Sequence, residues 1–166
     1  MAMFKGLLVI VVMSGFLFSC ERRDHEGTSV SVTFSSDMIC KANGPLKTGD
    51  PEPETPCISY NYGGDSLLRL MHYNAGFNCC PEKFIVDIEV KGDSLIISED
   101  ELKHGCKCNC LFDLDIKVHN LPAGSYHVRF AEPYVSQSMT KLTFDVDLKK
   151  EPSGSFCATR PEGWWR

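Results

Sequence analysis

The sequence predicts an all-β domain, built as an antiparallel β-sandwich of about seven or eight strands and stabilised by disulfides. Three observations lead to this fold class. Many short segments alternate apolar and polar residues with a period of two. Clusters of Gly, Pro, Asp and Asn separate these segments, and no stretch after residue 18 has the longer period of a helix.

The first twenty residues are typical of an exported chain. Lys5 supplies a short positive segment, and Gly6–Phe18 is an uncharged apolar run. A helix of this length spans roughly 20 Å, which is less than the roughly 30 Å hydrocarbon core of a bilayer. We therefore interpret residues 1–19 as a signal peptide rather than a membrane-spanning helix.

The end of this segment, Leu17-Phe18-Ser19-Cys20, resembles the lipobox of bacterial lipoproteins. The resemblance implies that Cys20 is lipidated with chains such as palmitate, whose buried methylenes contribute about 0.8 kcal/mol each to membrane anchoring. Residues 20–28 are polar and predict a flexible tether. Glu21 is not the Asp that retains such proteins at the inner membrane. We therefore expect the outer membrane, on either its periplasmic or its surface face.

A single domain, residues 29–166, is expected after the tether. Removing residues 1–19 leaves 147 residues, which is the size of one domain. Because Lys5 is the only charged residue removed from a chain of net charge −5, the mature net charge is −6. Lys and Arg form no block, and nucleic acids require clustered cations, so no nucleic-acid partner is expected.

The strands of the first half follow from the alternation. Thr28–Phe34 places three apolar side chains on one side. Residues 41–56 are rich in Pro, Gly and charge and predict a long loop. Two further strands are separated by the turn Gly63-Gly64-Asp65, namely Cys57–Tyr62 and Ser66–Tyr73. A helical turn is the alternative for the second segment, because LLRLM is a good helix former.

The second half begins with a β-hairpin, because Phe84–Val90 alternates, Lys91-Gly92-Asp93 turns the chain and Ser94–Ser98 returns. The later strands are expected at Leu111–Leu121, Ser125–Phe130 and Lys141–Leu148. The side chains expected to point into the core are Phe84, Val86, Ile88, Val90, Phe112, Leu114, Ile116, Val118, Tyr126, Val128, Phe130, Leu142, Phe144, Val146 and Leu148.

One local motif narrows the sandwich type. The segment LPAGSY, ending at Tyr126, resembles the tyrosine corner of immunoglobulin-like sandwiches. The resemblance implies that the hydroxyl of Tyr126 bonds to backbone a few residues upstream. An immunoglobulin-like arrangement is therefore expected, although the motif says nothing about function.

Eight cysteines remain when Cys20 is assigned to the lipid: Cys40, Cys57, Cys79, Cys80, Cys106, Cys108, Cys110 and Cys157. The thiols of exported proteins become oxidised outside the cytoplasm, so we interpret this even number of cysteines as disulfides. Sequence alone does not choose the pairing. One simple arrangement joins Cys40 to Cys57 across the ends of the 41–56 loop.

The cysteines at 79–80 and 106–110 form the densest cluster. If one strand runs through Cys106, Cys108 and Cys110 without a bulge, the three sulfurs lie on its core face or at the rim of the core, since they share parity with Phe112. Cys80 shares parity with the inward face of the next strand. A disulfide from Cys80 to one of the three is therefore expected.

A metal site is the alternative to disulfides in this cluster. Closely spaced thiolates suit soft metals, and a tetrahedral set for Zn or Cu is drawn from Cys106, Cys108 and Cys110 together with Cys79 or Cys80, with His72 as a further candidate ligand. Under the disulfide interpretation no cofactor is expected. A redox-active thiol is a third hypothesis, although no C-x-x-C motif is present.

Signatures of catalysis are missing from the sequence, which contains no G-x-S-x-G, Walker loop or H-E-x-x-H. His119 and His127 fall on outward positions of their strands. The pairs Asp113/Asp115 and Asp145/Asp147 predict solvated faces. The tail Trp164-Trp165 is expected to pack back on the domain rather than to bind a sugar.

The segment from His72 to Phe130 contains HYNAGFNCC, CKCNC and LPAGSYHVRF. It resembles a group of lipoproteins and secreted proteins of Bacteroides-type gut bacteria that have a cysteine-rich β-sandwich, a group with no established activity. The expected function is a membrane-anchored, extracytoplasmic, non-enzymatic module that binds or scaffolds an unidentified protein or glycan of the cell envelope. The metal-binding protein is the alternative.

Overall fold

The computed structural model describes residues 29–41, 55–103 and 106–165, of which Lys103 is described only in its backbone. This part of the chain contains nine strands: β1 (Ser31–Ser35), β2 (Cys57–Gly63), β3 (Leu67–Asn78), β4 (Pro81–Lys91), β5 (Ser94–Lys103), β6 (Asn109–His119), β7 (Ser125–Ala131), β8 (Thr143–Asp147) and β9 (Ser153–Cys157). The signal peptide, the tether and residues 42–54 of the expected loop lie outside the described residues. No helix in the described ranges has the length and apolarity to cross a bilayer.

Two sheets form a sandwich around one core. Five strands lie in the order β1-β6-β3-β2-β9, and four lie in the order β4-β5-β7-β8. The chain crosses from the first sheet to the second between β3 and β4 and returns between β5 and β6. The all-β, sandwich-like prediction is confirmed, and the immunoglobulin-like arrangement stays a prediction.

One pair of neighbouring strands departs from the antiparallel prediction. β5 and β7 pair in parallel, with Ser94 opposite His127 and Ser98 opposite Ala131. β6 lies between them in sequence but belongs to the other sheet. The chain therefore reverses twice and re-enters the four-stranded sheet in the direction of β5, with β6 as the crossover that a parallel pair requires.

The predicted hairpin is confirmed and is longer than expected. β4 and β5 pair antiparallel from Lys91 opposite Ser94 back to Pro81 opposite Lys103. Gly92 lies in the tight turn with φ of 61°, a left-handed conformation that glycine adopts without a Cβ clash. The part of β5 after Ser98 places acidic residues inside the sandwich. The sequence did not predict this part of the strand, because the prediction used the alternation of apolar residues.

The core lies between the two sheets and follows the predicted alternation closely. In β6, the four expected residues are each at most 1 % exposed: Phe112, Leu114, Ile116 and Val118. Full burial of such side chains stabilises the fold by about 1.5–3 kcal/mol each. Val90 was expected inward and is 37 % exposed instead. It lies at the turn end of β4, an edge strand of its sheet, where few side chains cover it.

The ninth strand, β9, was not predicted. Ser153–Cys157 is mostly exposed and has no apolar alternation to reveal it. It pairs with β2, and Cys57 lies directly opposite Cys157. The strand is therefore specified by its long-range partner rather than by its own sequence.

Candidate functional site

Two pairs of cysteines lie where the chain changes sheets. Cys79 and Cys80 form the corner between β3 and β4, and Cys106 and Cys108 lie in the corner between β5 and β6. Disulfides join Cys79 to Cys108 and Cys80 to Cys106. We call these four residues the corner cysteines. Their disulfides join the β3–β4 corner to the β5–β6 corner at one end of the sandwich.

The corner cysteines confirm one sequence prediction and overturn another. Cys80 is bonded to one of the three expected partners, Cys106. The expectation that Cys106, Cys108 and Cys110 line one core face of a strand is wrong, because β6 begins only at Asn109. Cys110 is fully buried, whereas Cys108 is exposed, since residues before Asn109 turn through the corner instead of continuing the pleat.

Backbone and amide hydrogen bonds hold the two corners together independently of the sulfurs. The Cys79 amide donates to the Cys108 carbonyl at 3.0 Å. The Asn78 side chain donates to the Cys106 carbonyl at 2.8 Å and accepts from the Cys80 amide at 3.0 Å. The Sγ atoms of Cys79 and Cys80 lie 3.8 Å apart, so the two disulfides are direct neighbours.

The other two disulfides join distant parts of the chain. Cys57 bonds Cys157 across β2 and β9, and Cys40 bonds Cys110 of β6. The expected staple between Cys40 and Cys57 is therefore wrong. Strand pairing places Cys57 opposite Cys157, and Cys40 packs against the core beside β6, so neither sulfur is directed to the other.

The alternative metal set is brought together only in part. Cys79, Cys80 and Cys106 have sulfurs within 4.8 Å of one another, and they are the only such group of possible ligands in the described ranges. Cys110 is bonded to Cys40. His72 is not a member of the group and lies in the core with an acidic partner.

Four ionisable side chains form a second cluster, which is buried and was not predicted from the sequence. His72 comes from β3 and Glu99 from β5 of the opposite sheet, whereas Glu132 and Arg160 follow β7 and β9. His72 Nδ1 lies 2.8 Å from Glu99 Oε1, and both side chains are 0 % exposed. Arg160 donates two hydrogen bonds to Glu132, from Nη1 at 2.9 Å and from Nη2 at 2.5 Å.

The pKa values of His72 and Glu99 are both raised by their surroundings. Burial by itself lowers the pKa of His72, but the charge and hydrogen bond of Glu99 and the charge of Glu132 raise it above its ordinary value. Burial is the main reason that the pKa of Glu99 is also raised, against the opposing effect of His72. Both shifts have the same direction, so the pair binds a proton more tightly in the folded protein than the two groups do in water.

Solutes do not reach this cluster. The side chains of Glu132 and Arg160 are 2 % and 0 % exposed, and His72 packs edge-on against Phe130. Such a constellation can fix the position of the two sheets and respond to pH, but it offers no surface to a substrate. A signal for Glu99 was present in the sequence: it continues the parity of Leu95 and Ile97.

A third acidic residue, Glu101, extends this polar layer toward the corner cysteines. Its carboxylate accepts from the Asn78 amide at 2.8 and 3.0 Å and from the Tyr134 hydroxyl at 2.6 Å. Burial of a carboxylate is costly unless it is hydrogen-bonded, and these donors satisfy it. Glu101 thus fixes the end of β3 next to Cys79.

The C-terminal tail packs on the outer face of the five-stranded sheet, as expected. Trp164 and Trp165 are 6 % and 4 % exposed and form a small apolar cluster with Leu111. The guanidinium of Arg160 lies 4.3 Å from the Trp164 ring centre, which links the tail to the buried cluster. Gly76 provides the space for both indoles, because a Cβ there meets Trp164 at 3.0 Å.

The remaining candidates are local and polar. The Tyr126 hydroxyl donates to the Pro122 carbonyl at 2.8 Å, which is the hydrogen bond implied by the corner motif. His127 is exposed and lies 2.7 Å from Asp145. Asp113 pairs with Lys41 at 2.7 Å on the rim of an open groove that also contains Tyr73.

In comparisons with known proteins, no family model, no curated protein and no solved structure matches the chain.

Proposed function

We propose that the mature chain is a lipid-anchored, extracytoplasmic β-sandwich of the cell envelope, which binds or scaffolds an envelope protein or glycan without catalysing a reaction. The outer membrane is the proposed location. The lipid on Cys20 is the anchor, and the sandwich is the part that meets a partner.

The cysteine count is the observation that carries this proposal. Four disulfides take eight of the nine cysteines, and the ninth is Cys20 in the lipobox-like segment. Disulfides persist in oxidising compartments outside the cytoplasm. A chain with this pairing is therefore suited to export, and its remaining cysteine occupies the position at which export-linked lipidation takes place.

The spacing between anchor and domain supports the same proposal. β1 begins at Ser31, eleven residues after Cys20. At roughly 3.3–3.6 Å per residue, this segment extends to no more than about 40 Å. The sandwich would therefore lie within about 40 Å of the membrane that holds the lipid.

An exposed apolar loop supports binding as the activity. Met38 and Ile39 are 45 % and 61 % exposed directly after β1. The Met38 amide donates to the Ser36 hydroxyl at 3.1 Å, the Ile39 amide donates to Asp37 at 3.0 Å, and the loop ends at the Cys40–Cys110 disulfide. Large apolar side chains presented on a constrained loop are typical of contacts with another molecule.

The test is lipidation in the cell together with a thiol count. The full chain is produced in a bacterium fed an alkynyl palmitate, beside the matched variant Cys20→Ser. We expect label and membrane association in the native chain, loss of both in the variant, and no free thiols among the other eight cysteines by mass spectrometry. Label that persists in the variant, or six or more free thiols, would contradict the proposal.

A further inference from the structure

We propose that, when its two corner disulfides are reduced, this protein binds one Zn²⁺ ion through the thiolates of Cys79, Cys80, Cys106 and Cys108. The site narrows the set expected from sequence, because it keeps these four cysteines and excludes His72 and Cys110. It is also independent of lipid anchoring, so either proposal can fail without the other.

The separation of the sulfurs matches a tetrahedral zinc site. Zn–S bonds are about 2.3 Å long, and the edge of a tetrahedron is about 1.63 times its centre-to-corner distance, so sulfur atoms around zinc lie about 3.8 Å apart. The Sγ atoms of Cys79 and Cys80 are 3.8 Å apart. Cys106 places its Sγ within 4.8 Å of both.

The sulfur of Cys108 lies outside the group whose sulfurs are all within 4.8 Å of one another, and we expect rotation of its side chain to bring it to the ion after reduction. Cys108 is bonded to Cys79, and their Cα atoms are 5.5 Å apart, while the Cα atoms of Cys80 and Cys106 are 5.8 Å apart. Reduction lets each bonded pair of sulfurs separate to zinc-site spacing without a change in the position of the backbone. Four thiolates around one ion form the closed set of structural zinc sites.

The hydrogen bonds between the corners remain after reduction. The Cys79–Cys108 backbone bond and the bond from the Asn78 side chain to the Cys106 carbonyl join the corners and involve no sulfur. Strand pairing continues to Asn78 opposite Asn109 on one side of the corners and to Pro81 opposite Lys103 on the other. The four thiols therefore stay close, which lowers the entropic cost of assembling them around a metal.

Solvent access makes the corner disulfides reducible. Cys108 is exposed, and its three companions are partly exposed. Of the other cysteines, Cys157 is also exposed, whereas Cys110 is 0 % exposed. Because exchange requires a thiolate to reach a disulfide sulfur, a small dithiol can attack the corner cysteines as well as Cys157.

The Cys80–Cys106 disulfide lowers the entropy of the unfolded chain only slightly once Cys79–Cys108 has formed. Stability alone therefore does not explain why four sulfurs are placed together. Cys80–Cys106 is nested directly inside Cys79–Cys108 and joins the same two corners. Once the outer bond exists, the inner bond closes only the few residues between them, and the entropic contribution of a disulfide grows with the length of the closed loop.

The chemistry balances with a dithiol as the reductant. Each disulfide takes two electrons and two protons from one dithiol, which leaves as its own disulfide, so two dithiols yield four cysteine thiols. Binding of Zn²⁺ then releases four protons and leaves a tetrathiolate unit of charge −2. Exchange with two molecules of a disulfide oxidant reverses the sequence: the oxidant takes up four electrons and four protons, the two corner disulfides form again, and the ion is freed because its ligands are gone.

The test uses the purified chain, treated anaerobically with dithiothreitol and separated from it. Zn²⁺ is titrated against a chromophoric chelator, and Co²⁺ reports the ligand geometry by its visible spectrum. We expect one Zn²⁺ per reduced chain, the intense bands of tetrahedral Co²⁺ with thiolate ligands, and protection of the corner cysteines alone from alkylation. The oxidised chain is expected to bind neither ion.

Two variants and one condition make the outcome decisive. In Cys80→Ala/Cys106→Ala the outer disulfide still joins the corners, and we expect affinity for Zn²⁺ to fall at least about a hundredfold. Cys57→Ala/Cys157→Ala retains all four ligands and is expected to bind as the native chain does. The proposal is overturned by an absence of Zn²⁺ binding to the reduced chain, by equal binding in concentrated urea, or by protection of other cysteines.

Discussion

His72 and Glu99 face each other from opposite sheets of the sandwich, with Nδ1 and Oε1 2.8 Å apart and both side chains excluded from water. His72 lies immediately before an irregularity in β3, where register shifts between His72 and Ala75 and Asn74 has φ of 59°. The bulge lets Ala75 and Phe77 return to the core side, so the strand carries one buried histidine without losing its apolar face.

The stability of the protein is expected to fall as pH rises above about 6.5. The raised pKa of His72 and the raised pKa of Glu99 mean that the folded pair keeps a proton that the unfolded chain has lost. The free energy of unfolding then declines by up to about 1.4 kcal/mol per pH unit for one proton. Urea unfolding at several pH values between about 6.5 and 8.5 measures the slope.

The double variant His72→Gln/Glu99→Gln isolates this effect. It keeps an amide pair across the core but removes both titrating groups, so the slope above pH 6.5 is expected to disappear. His127→Gln is the matched control, because His127 and Asp145 form a similar pair at 2.7 Å in solvent. A slope that survives in the double variant would assign the pH dependence to other groups.

Arg160→Ala is expected to destabilise the fold by about 3–5 kcal/mol. The variant removes both hydrogen bonds to Glu132 and leaves that carboxylate 2 % exposed without its cation. It also removes the contact with Trp164. Denaturant unfolding measures the loss, and Arg129→Ala, at an exposed position, is expected to stay within about 0.5 kcal/mol of the native chain. Equal losses in the two variants would refute a special role for the buried pair.

Gly76→Val is expected to displace the C-terminal tryptophans. A Cβ at this position lies 3.0 Å from Trp164 Cη2 and 3.3 Å from Trp165 Cβ, so the indoles must move. We expect a loss of about 1–3 kcal/mol and a red shift of tryptophan emission as both rings gain water. Gly64→Val is the control, because nothing lies within 4 Å of its added Cβ. Unchanged emission in Gly76→Val would show that the tail does not pack on this face.

The disulfides are expected to differ in their contribution to stability. Cys57 and Cys157 are separated by 100 residues, and a loop of that length corresponds to about 4.7 kcal/mol of chain entropy. Cys57→Ala/Cys157→Ala should therefore lose several kcal/mol more than Cys80→Ala/Cys106→Ala, whose corners remain joined by Cys79–Cys108. Thermal unfolding of the two variants side by side tests the order. The reverse order would assign the corner cysteines a structural role.

Local pattern was enough to place most strands. The side chains of Phe112, Leu114 and Ile116 are buried as their alternation predicted, and the hairpin around Gly92 forms where its turn residues indicated. β9 was not predicted, because most of its residues are exposed and its position depends on pairing with β2.

The sites were less predictable than the strands. The sequence predicted a cluster of Cys79, Cys80, Cys106, Cys108 and Cys110, but not which bonds they make or that Cys110 is bonded to Cys40 instead. The cluster around His72 combines residues from β3, β5 and two later segments. No spacing along the chain encodes that assembly.

The amino-acid sequence by itself determined the period-two elements, the turns between them, the even set of eight cysteines beside Cys20 and the inward parity of the apolar residues. These features depend on neighbours within a few residues, where side-chain direction follows directly from the extended backbone. Tertiary structure alone decided the parallel contact of β5 with β7, the four disulfide pairings and the meeting of His72 with Glu99. Each of these joins residues far apart in the chain, and only the packing of two twisted sheets brings them within bonding distance.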